Sequence, residues 1–108
     1  MPRTALLAAS AIEETAPLAG MEQPPYLNQM VLLATSLEPR VLLEACRAIE
    51  QREGRERAER WGPRTLDLDI VRFGERRVEE RDLIIPHPEL PNRDFWQREL
   101  AELRPHER

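Results

Sequence analysis

The sequence predicts an α+β fold, and three observations carry that prediction. Two aliphatic stretches of strand length, 4–14 (TALLAASAIEE) and 26–36 (YLNQMVLLATS), flank a proline-rich segment. A run from Ser36 to about Glu53 places apolar residues at helical spacing, and FWQRELAEL at 95–103 repeats that pattern near the end. Between the two runs, TLDLDIV alternates with the two-residue period of a strand. The order is therefore β, β, α, β, α, with the helices on one face of a mainly antiparallel sheet. Residues 1–108 have the length of a single small domain.

Each element has a local reason. Glu13 and Glu14 directly follow the first aliphatic stretch, which marks it as a strand and not a signal peptide. TAPLAGMEQPP at 15–25 carries three prolines and a glycine, so it is a loop. Ser36 or a neighbour starts the long helix, with Pro39 in its first turn. Leu42, Cys46 and Ile49 form its inner face, and Gly54 is the expected stop. GRERAERWGPR at 54–64 then reads as a charged loop, and a short hairpin is expected from Gly74 to Val78. IIPHPELPNRD at 84–94 is a proline-rich loop before the last helix.

Composition removes several functions. No apolar run approaches bilayer length, and 33% charged residues suit a soluble protein. The single cysteine, Cys46, excludes an internal disulfide, fits a cytoplasmic location and is expected to be buried filler. All 16 basic residues are arginine, which closes off a P-loop lysine and Schiff-base chemistry. Guanidinium recognition of phosphate or carboxylate remains open. A net charge of −4 argues against a nucleic-acid surface. His87 and His106 are too few for a histidine-rich metal site, and His106 reads as surface.

The chemistry gathers around RWGPRTLDLDIVRFG, residues 60–74. On a strand, Leu66, Leu68 and Ile70 face one way, while Thr65, Asp67, Asp69 and Val71 face the other. The two carboxylates then lie roughly 7 Å apart on one face. Alone, such a pair also fits a half-solvated strand with its polar residues outward. Six arginines precede it between Arg47 and Arg64, interleaved with four glutamates. Arg52 and Arg60 read as solvated and self-paired. Arg55, Arg57 and Arg64 lead directly into the acid pair. Carboxylates that hold Mg²⁺, next to guanidinium groups and Trp61, are what a nucleoside triphosphate requires.

ERWGPRTLDLDIVRFG resembles the signature of the 6-hydroxymethyl-7,8-dihydropterin pyrophosphokinases. ETAPLAGMEQPPYLNQMVLLAT resembles that family's pterin-binding loop and following strand, and LIIPHPELPNRDF resembles its P-H-P…R-x-F segment. Three motifs in order cover nearly the whole chain. The resemblance implies a ferredoxin-like fold and transfer of diphosphate from ATP to a pterin alcohol in folate biosynthesis. It implies two Mg²⁺ ions, held by Asp67 and Asp69 against the ATP phosphates. Arg55 and Arg57 would lie on a mobile loop closing over the site, and Arg64, Arg93 and His87 would contact phosphates. Glu50, Trp61 and Ile70 would adjoin the nucleotide. Tyr26 and Phe95 would sandwich the pterin, with Asn28 reading its polar edge beside the backbone of Thr15 and Leu18. Read by themselves, Tyr26 and Phe95 also fit core aromatics, and His87 also fits a surface turn.

The chain departs from the family pattern at its start, where the first strand and helix, with a G-S-N-L-type turn, are expected to be missing. It also departs after Phe95, where the family's V-L-x-P-L reads Trp96, Gln97, Arg98, Glu99, Leu100. Two functions follow as expectations: an active pyrophosphokinase, or a shortened homologue serving as a nucleotide-binding or interaction module. Open sheet edges would favour a homodimer.

Overall fold

The structure, a computed structural model, describes residues 3–15, 26–60 and 66–107, with the side chains of 26 and 56–60 left aside. The chain forms β1 (Thr4–Ala9), β2 (Glu13–Thr15), β3 (Tyr26–Asn28), β4 (Val31–Thr35), α1 (Pro39–Arg60), β5 (Val78–Glu80), β6 (Leu83–Ile85) and α2 (Asp94–Leu103). Single 3₁₀ turns flank α2 at Leu90–Asn92 and Arg104–His106. The α+β class stands, and every strand pair is antiparallel. The single sheet does not. Among the described residues the strands form three two-stranded ladders, β1–β4, β2–β3 and β5–β6. No helix of the described residues is long and apolar enough to cross a membrane.

Two compact units emerge, one of residues 36–89 and one of residues 3–35 with 90–107. In the second, both expected strands break at the same level. Ser10, 3% exposed, is the cause. Its amide donates to the Met30 carbonyl (2.8 Å), its Oγ accepts the Met30 amide (2.9 Å), and the hydroxyl donates to Ala11 O (3.0 Å). A side chain thus replaces a ladder partner, and β1–β4 gives way to β2–β3. Changing Ser10 to Ala leaves the buried Met30 N–H without its acceptor. Urea unfolding should show a loss of about 1–3 kcal/mol, the usual penalty for an orphaned buried donor. A loss below about 0.5 kcal/mol, the scatter of neutral surface changes, would mean the bond is dispensable.

α2 packs through Trp96, Glu99 and Leu103, all buried at helical spacing. Two of these are the apolar residues the sequence pattern leads one to expect. The third is a carboxylic acid.

In the 36–89 unit, α1 begins as expected. Pro39 takes the first helical position, and the Glu38 carbonyl accepts the Leu42 amide at 3.0 Å. Leu37, Leu42 and Cys46 make the core, with Leu68, Ile70 and Phe73 packed against them. Ile49, expected on the same face, is 37% exposed and is not part of that core. Burial, and then the charge of Glu50, push the Cys46 thiol up, so it behaves as packing and not as a nucleophile.

Gly54 does not stop α1. The helix runs on to Arg60, so most of the expected charged loop is helical. A helical glycine costs only ~1 kcal/mol against alanine, and its neighbours are strong helix formers.

The expected third strand is a second correction. Residues 66–73 carry no strand ladder. The Leu68 amide donates to Glu50 Oε2 (2.7 Å), and the Val71 carbonyl accepts the His87 amide (2.9 Å). Without a paired neighbour the two-residue period holds only from Asp67 to Ile70. Leu66 is exposed at 39%, and Val71 is buried, opposite to the expected faces.

The expected hairpin at 74–78 is a turn, with Gly74 at φ +55° and the Arg76 amide donating to Phe73 O (2.9 Å). The true hairpin is β5–β6, turning at Arg81 and Asp82. It buries Leu83 and Ile85, leaves Ile84 exposed, and ties its turn to α1. Arg40 Nη1 donates to both Asp82 oxygens at 2.9 Å, Arg40 Nη2 pairs with Glu80, and Arg47 reaches Asp82 at 3.2 Å. These hydrogen bonds hold the Asp82 carboxyl below its ordinary range.

Candidate active site

The 36–89 unit contains an open cleft of ≈ 380 Å³. α1 supplies Leu43, Arg47 and Glu50, which share a face because they recur at i, i+4 and i+7. Leu68, Asp69 and Ile70 form a second side. The β5–β6 turn, β6 and the chain after it supply the third, from Arg81 to Ile84 with His87 and Pro88. Leu43, Leu68, Ile70, Ile84 and Pro88 are apolar walls suited to a flat heterocycle. Arg47, Arg81 and His87 bring positive or protonatable groups to the same space. Four of the residues singled out in the sequence, Glu50, Asp69, Ile70 and His87, therefore share one cleft.

Their geometry is specific. Asp67 and Asp69 are exposed, while Leu68 and Ile70 between and after them are half-buried. Glu50 fixes this arrangement through the Leu68 amide, the one backbone N–H lying between the two acids. His87 Nδ1 accepts the Glu89 amide at 3.1 Å, so the neutral ring carries its proton on Nε2. That nitrogen faces Asp69 Oδ1 at 3.9 Å, an ion-pair distance beyond hydrogen-bond reach.

Do these acids suit Mg²⁺? Among the described residues no three His, Cys, Asp or Glu side chains converge on a closed metal cage. Two exposed carboxylates on one short segment are the donor set of the other kind of site. There Mg²⁺ takes one or two protein carboxylates and completes its shell with waters and substrate phosphates. The residues fit.

The other unit carries the remaining candidates. Asn28 Nδ2 donates to Thr15 Oγ1 at 2.7 Å, joining two of them across the β2–β3 ladder. This bond leaves the Asn28 carbonyl oxygen and one amide hydrogen for other partners. Tyr26 pairs with Thr15 in the same ladder. Phe95, half-buried, stands edge-on to Trp96 with centroids 6.2 Å apart. Arg93 holds its guanidinium 4.3 Å over the Trp96 ring. Arg55 and Arg57 lie on α1, which corrects their expected place in a loop. Leu18, Trp61 and Arg64 lie outside the described residues, as does the side chain of Arg57.

Sequence reasoning missed Leu43, Arg47 and Arg81 as cleft residues. Leu43 and Arg47 were findable, since Glu50 lies seven and three residues beyond them on the same helix face. Arg81 was not, because the hairpin that carries it has no glycine or asparagine in its turn.

Known proteins resemble this chain along most of its length. The family model described as 7,8-dihydro-6-hydroxymethylpterin-pyrophosphokinase matches residues 1–105. A 2-amino-4-hydroxy-6-hydroxymethyldihydropteridine pyrophosphokinase of Synechocystis sp. is 50% identical over 86 residues, covering 80% of this chain and 44% of that protein. The enzyme of that name in Pseudomonas aeruginosa is 44% identical over 105 residues, covering 97% and 65%. In Bacillus subtilis its counterpart is 46% identical over 94 residues, covering 87% and 56%. The chain thus spans about half to two thirds of the length of these relatives.

Proposed function

This chain belongs to the 7,8-dihydro-6-hydroxymethylpterin-pyrophosphokinase family, and from that premise we propose that it transfers diphosphate from ATP to 6-hydroxymethyl-7,8-dihydropterin. The products are AMP and the pterin diphosphate, in a cytoplasmic step of folate biosynthesis. The observation that carries this reading is the cleft that unites Glu50, Asp69, Ile70 and His87. Its apolar walls suit adenine, and its rim supplies the charges a triphosphate needs. The finer fold that goes with the reading is ferredoxin-like.

In the reaction the pterin hydroxyl oxygen forms a bond to the β-phosphorus as the bond from that phosphorus to the α-phosphate oxygen breaks. AMP departs with that oxygen, and the hydroxyl proton passes to solvent. Asp67 and Asp69 would hold Mg²⁺, in our reading two ions, which when bound neutralise charge on the phosphates. The chain's own residues do the rest. Arg55, Arg57 and Arg64, with His87 and Arg93, would stabilise negative charge as it moves between phosphates. Glu50, Trp61 and Ile70 would hold the nucleotide. Tyr26 and Phe95 would present aromatic faces to the pterin, and Thr15, Leu18 and Asn28 its polar partners. The Thr15–Asn28 hydrogen bond supports that assignment, because it fixes the Asn28 amide in one orientation.

The test is AMP release from ATP, Mg²⁺ and 6-hydroxymethyl-7,8-dihydropterin. Release that needs all three components is the expected result. ATP binding without release would make the chain a nucleotide-binding module instead. Sedimentation of the same sample tests the homodimer, which a monomer at micromolar concentration removes. Phe95→Ala should weaken pterin binding by ~1 kcal/mol or slightly more, about the worth of one aromatic stacking pair, and spare ATP binding. Equal loss of both ligands would assign Phe95 to folding.

A further inference from the structure

Glu99 is 2% exposed on the inner face of α2, and it lies against a second carboxylate, Glu13 of β2. Glu13 Oε2 and Glu99 Oε2 are both buried, and among the described residues neither has a hydrogen-bond donor. Two ionised carboxylates placed so would repel each other and leave two buried acceptors empty. We propose that Glu13 and Glu99 share one proton, and that this bond seats α2, and with it Phe95, against β2. Glu99 carries the proton and donates to Glu13, satisfying both orphaned oxygens with one charge-assisted bond.

The surrounding charges agree on which partner is ionised. From α2, Arg98 donates through Nε and Nη2 to Glu13 Oε1 at 3.2 and 3.1 Å, which keeps Glu13 anionic. Glu102 faces the pair from the next turn and accepts the Ala11 amide at 2.9 Å. Its negative charge further disfavours ionisation of Glu99. On β2 the neighbouring Glu14 is exposed, and β3 opposes Glu13 with the uncharged Asn28. Burial first, then the bond and charge of Glu13, push Glu99 up to about 7. The proton therefore leaves near neutral pH.

The positions make the bond consequential. Phe95 lies four residues before Glu99 on α2, on the same side of the helix. Thr15 lies two residues after Glu13 on β2, and Asn28 pairs with Glu13 itself. A loosened Glu13–Glu99 bond therefore releases Phe95 from the strands that carry Thr15 and Asn28. That this alters pterin binding rests on the function proposed above; the shared proton does not.

The sign of the pH dependence follows from the raised Glu99 value. The stabilising effect is full below pH 4.5, the ordinary value, where the folded and unfolded chains both hold the proton. It declines as pH rises toward 7 and is gone above it. Glu99→Gln replaces the O–H donor by an amide donor that cannot titrate.

The experiment compares the native chain with Glu99→Gln and Glu13→Gln from pH 5 to 8, by thermal melting and by amide hydrogen exchange of residues 96–103, corrected for intrinsic rates. The native chain should melt progressively lower across this range, and its α2 protection should fall at least threefold. Both changes should flatten in Glu99→Gln, with α1 protection unaffected. Glu13→Gln should shrink both changes without abolishing them, because it removes the bond and charge of Glu13 while burial still disfavours ionisation of Glu99. A flat native profile, or an unchanged slope in Glu99→Gln, overturns the proposal. If Glu99→Gln fails to fold, the Glu13→Gln slope decides alone. A third arm titrates 6-hydroxymethylpterin at pH 6 and pH 8, where affinity should fall at least threefold in the native chain relative to Glu99→Gln. The variant binds the same ligand, so the pterin's own titration cancels. Expected α2 behaviour with no pterin binding at any pH overturns the proposed function and leaves the shared proton in place.

Discussion

Replacing Asp67 or Asp69 by asparagine is expected to remove Mg²⁺-dependent ATP binding and to lower diphosphate transfer by about 10²–10³-fold, the usual loss when one preorganised electrostatic group is deleted. Both side chains are exposed, so the change removes a charge without emptying a packed site. Stability should stay within about 0.5 kcal/mol of the native chain, as for most surface substitutions. The two variants differ in one respect. Asp69 is also the carboxylate that faces His87 at 3.9 Å, so only Asp69→Asn strips that imidazole of its anionic neighbour. The measurement is calorimetric titration with a non-hydrolysable ATP analogue, with Mg²⁺ and with a chelator. A difference between the two conditions should be present in the native chain and absent in both variants. Nucleotide affinity unchanged in both would remove the metal assignment.

The aspartates were legible because their spacing against Leu68 and Ile70 is a local property of the sequence. Within 67–70 the alternation set which residues pack on the core, even though the segment forms no ladder and the pattern fails at Leu66 and Val71. What a strand needs beyond alternation is a hydrogen-bonded neighbour, and no pattern within the segment reports one. α2 was legible for the same reason as the aspartates, with Trp96 and Leu103 marking its inner face. That pattern also places position 99 inside. A buried glutamate is unreadable there without Glu13, which only the folded chain brings next to it. Two errors came from weak signals treated as strong ones. Gly54 looked like a stop, yet its neighbours outweigh its cost. Ser10 looked like one residue of a strand, yet its hydroxyl competes with the ladder and divides it.

Glu50→Ala is the other change with a large expected effect, and it separates positioning from packing. Glu50 Oε2 accepts the Leu68 amide at 2.7 Å, a charge-assisted bond that anchors α1 to the residue between the two aspartates. Truncation leaves that part-buried N–H without an acceptor, which should destabilise the chain by about 1–3 kcal/mol. It also frees the 67–69 backbone to move. Displacing catalytic groups by about 1 Å is enough to cost roughly 10²-fold in rate, so diphosphate transfer should fall by that order. Glu50→Gln retains an amide oxygen that can accept the Leu68 N–H while losing the charge. If Glu50 acts by positioning, the glutamine variant should recover most of the affinity and rate. If it acts by placing its charge against a ligand, glutamine and alanine should lose equally. Urea unfolding and Mg²⁺·nucleotide titration on the same preparations distinguish these from a third outcome. Reduced stability with native affinity in the folded fraction would make Glu50 a structural residue alone. The geometry favours positioning, because the one hydrogen bond this carboxylate makes among the described residues is to the backbone between Asp67 and Asp69.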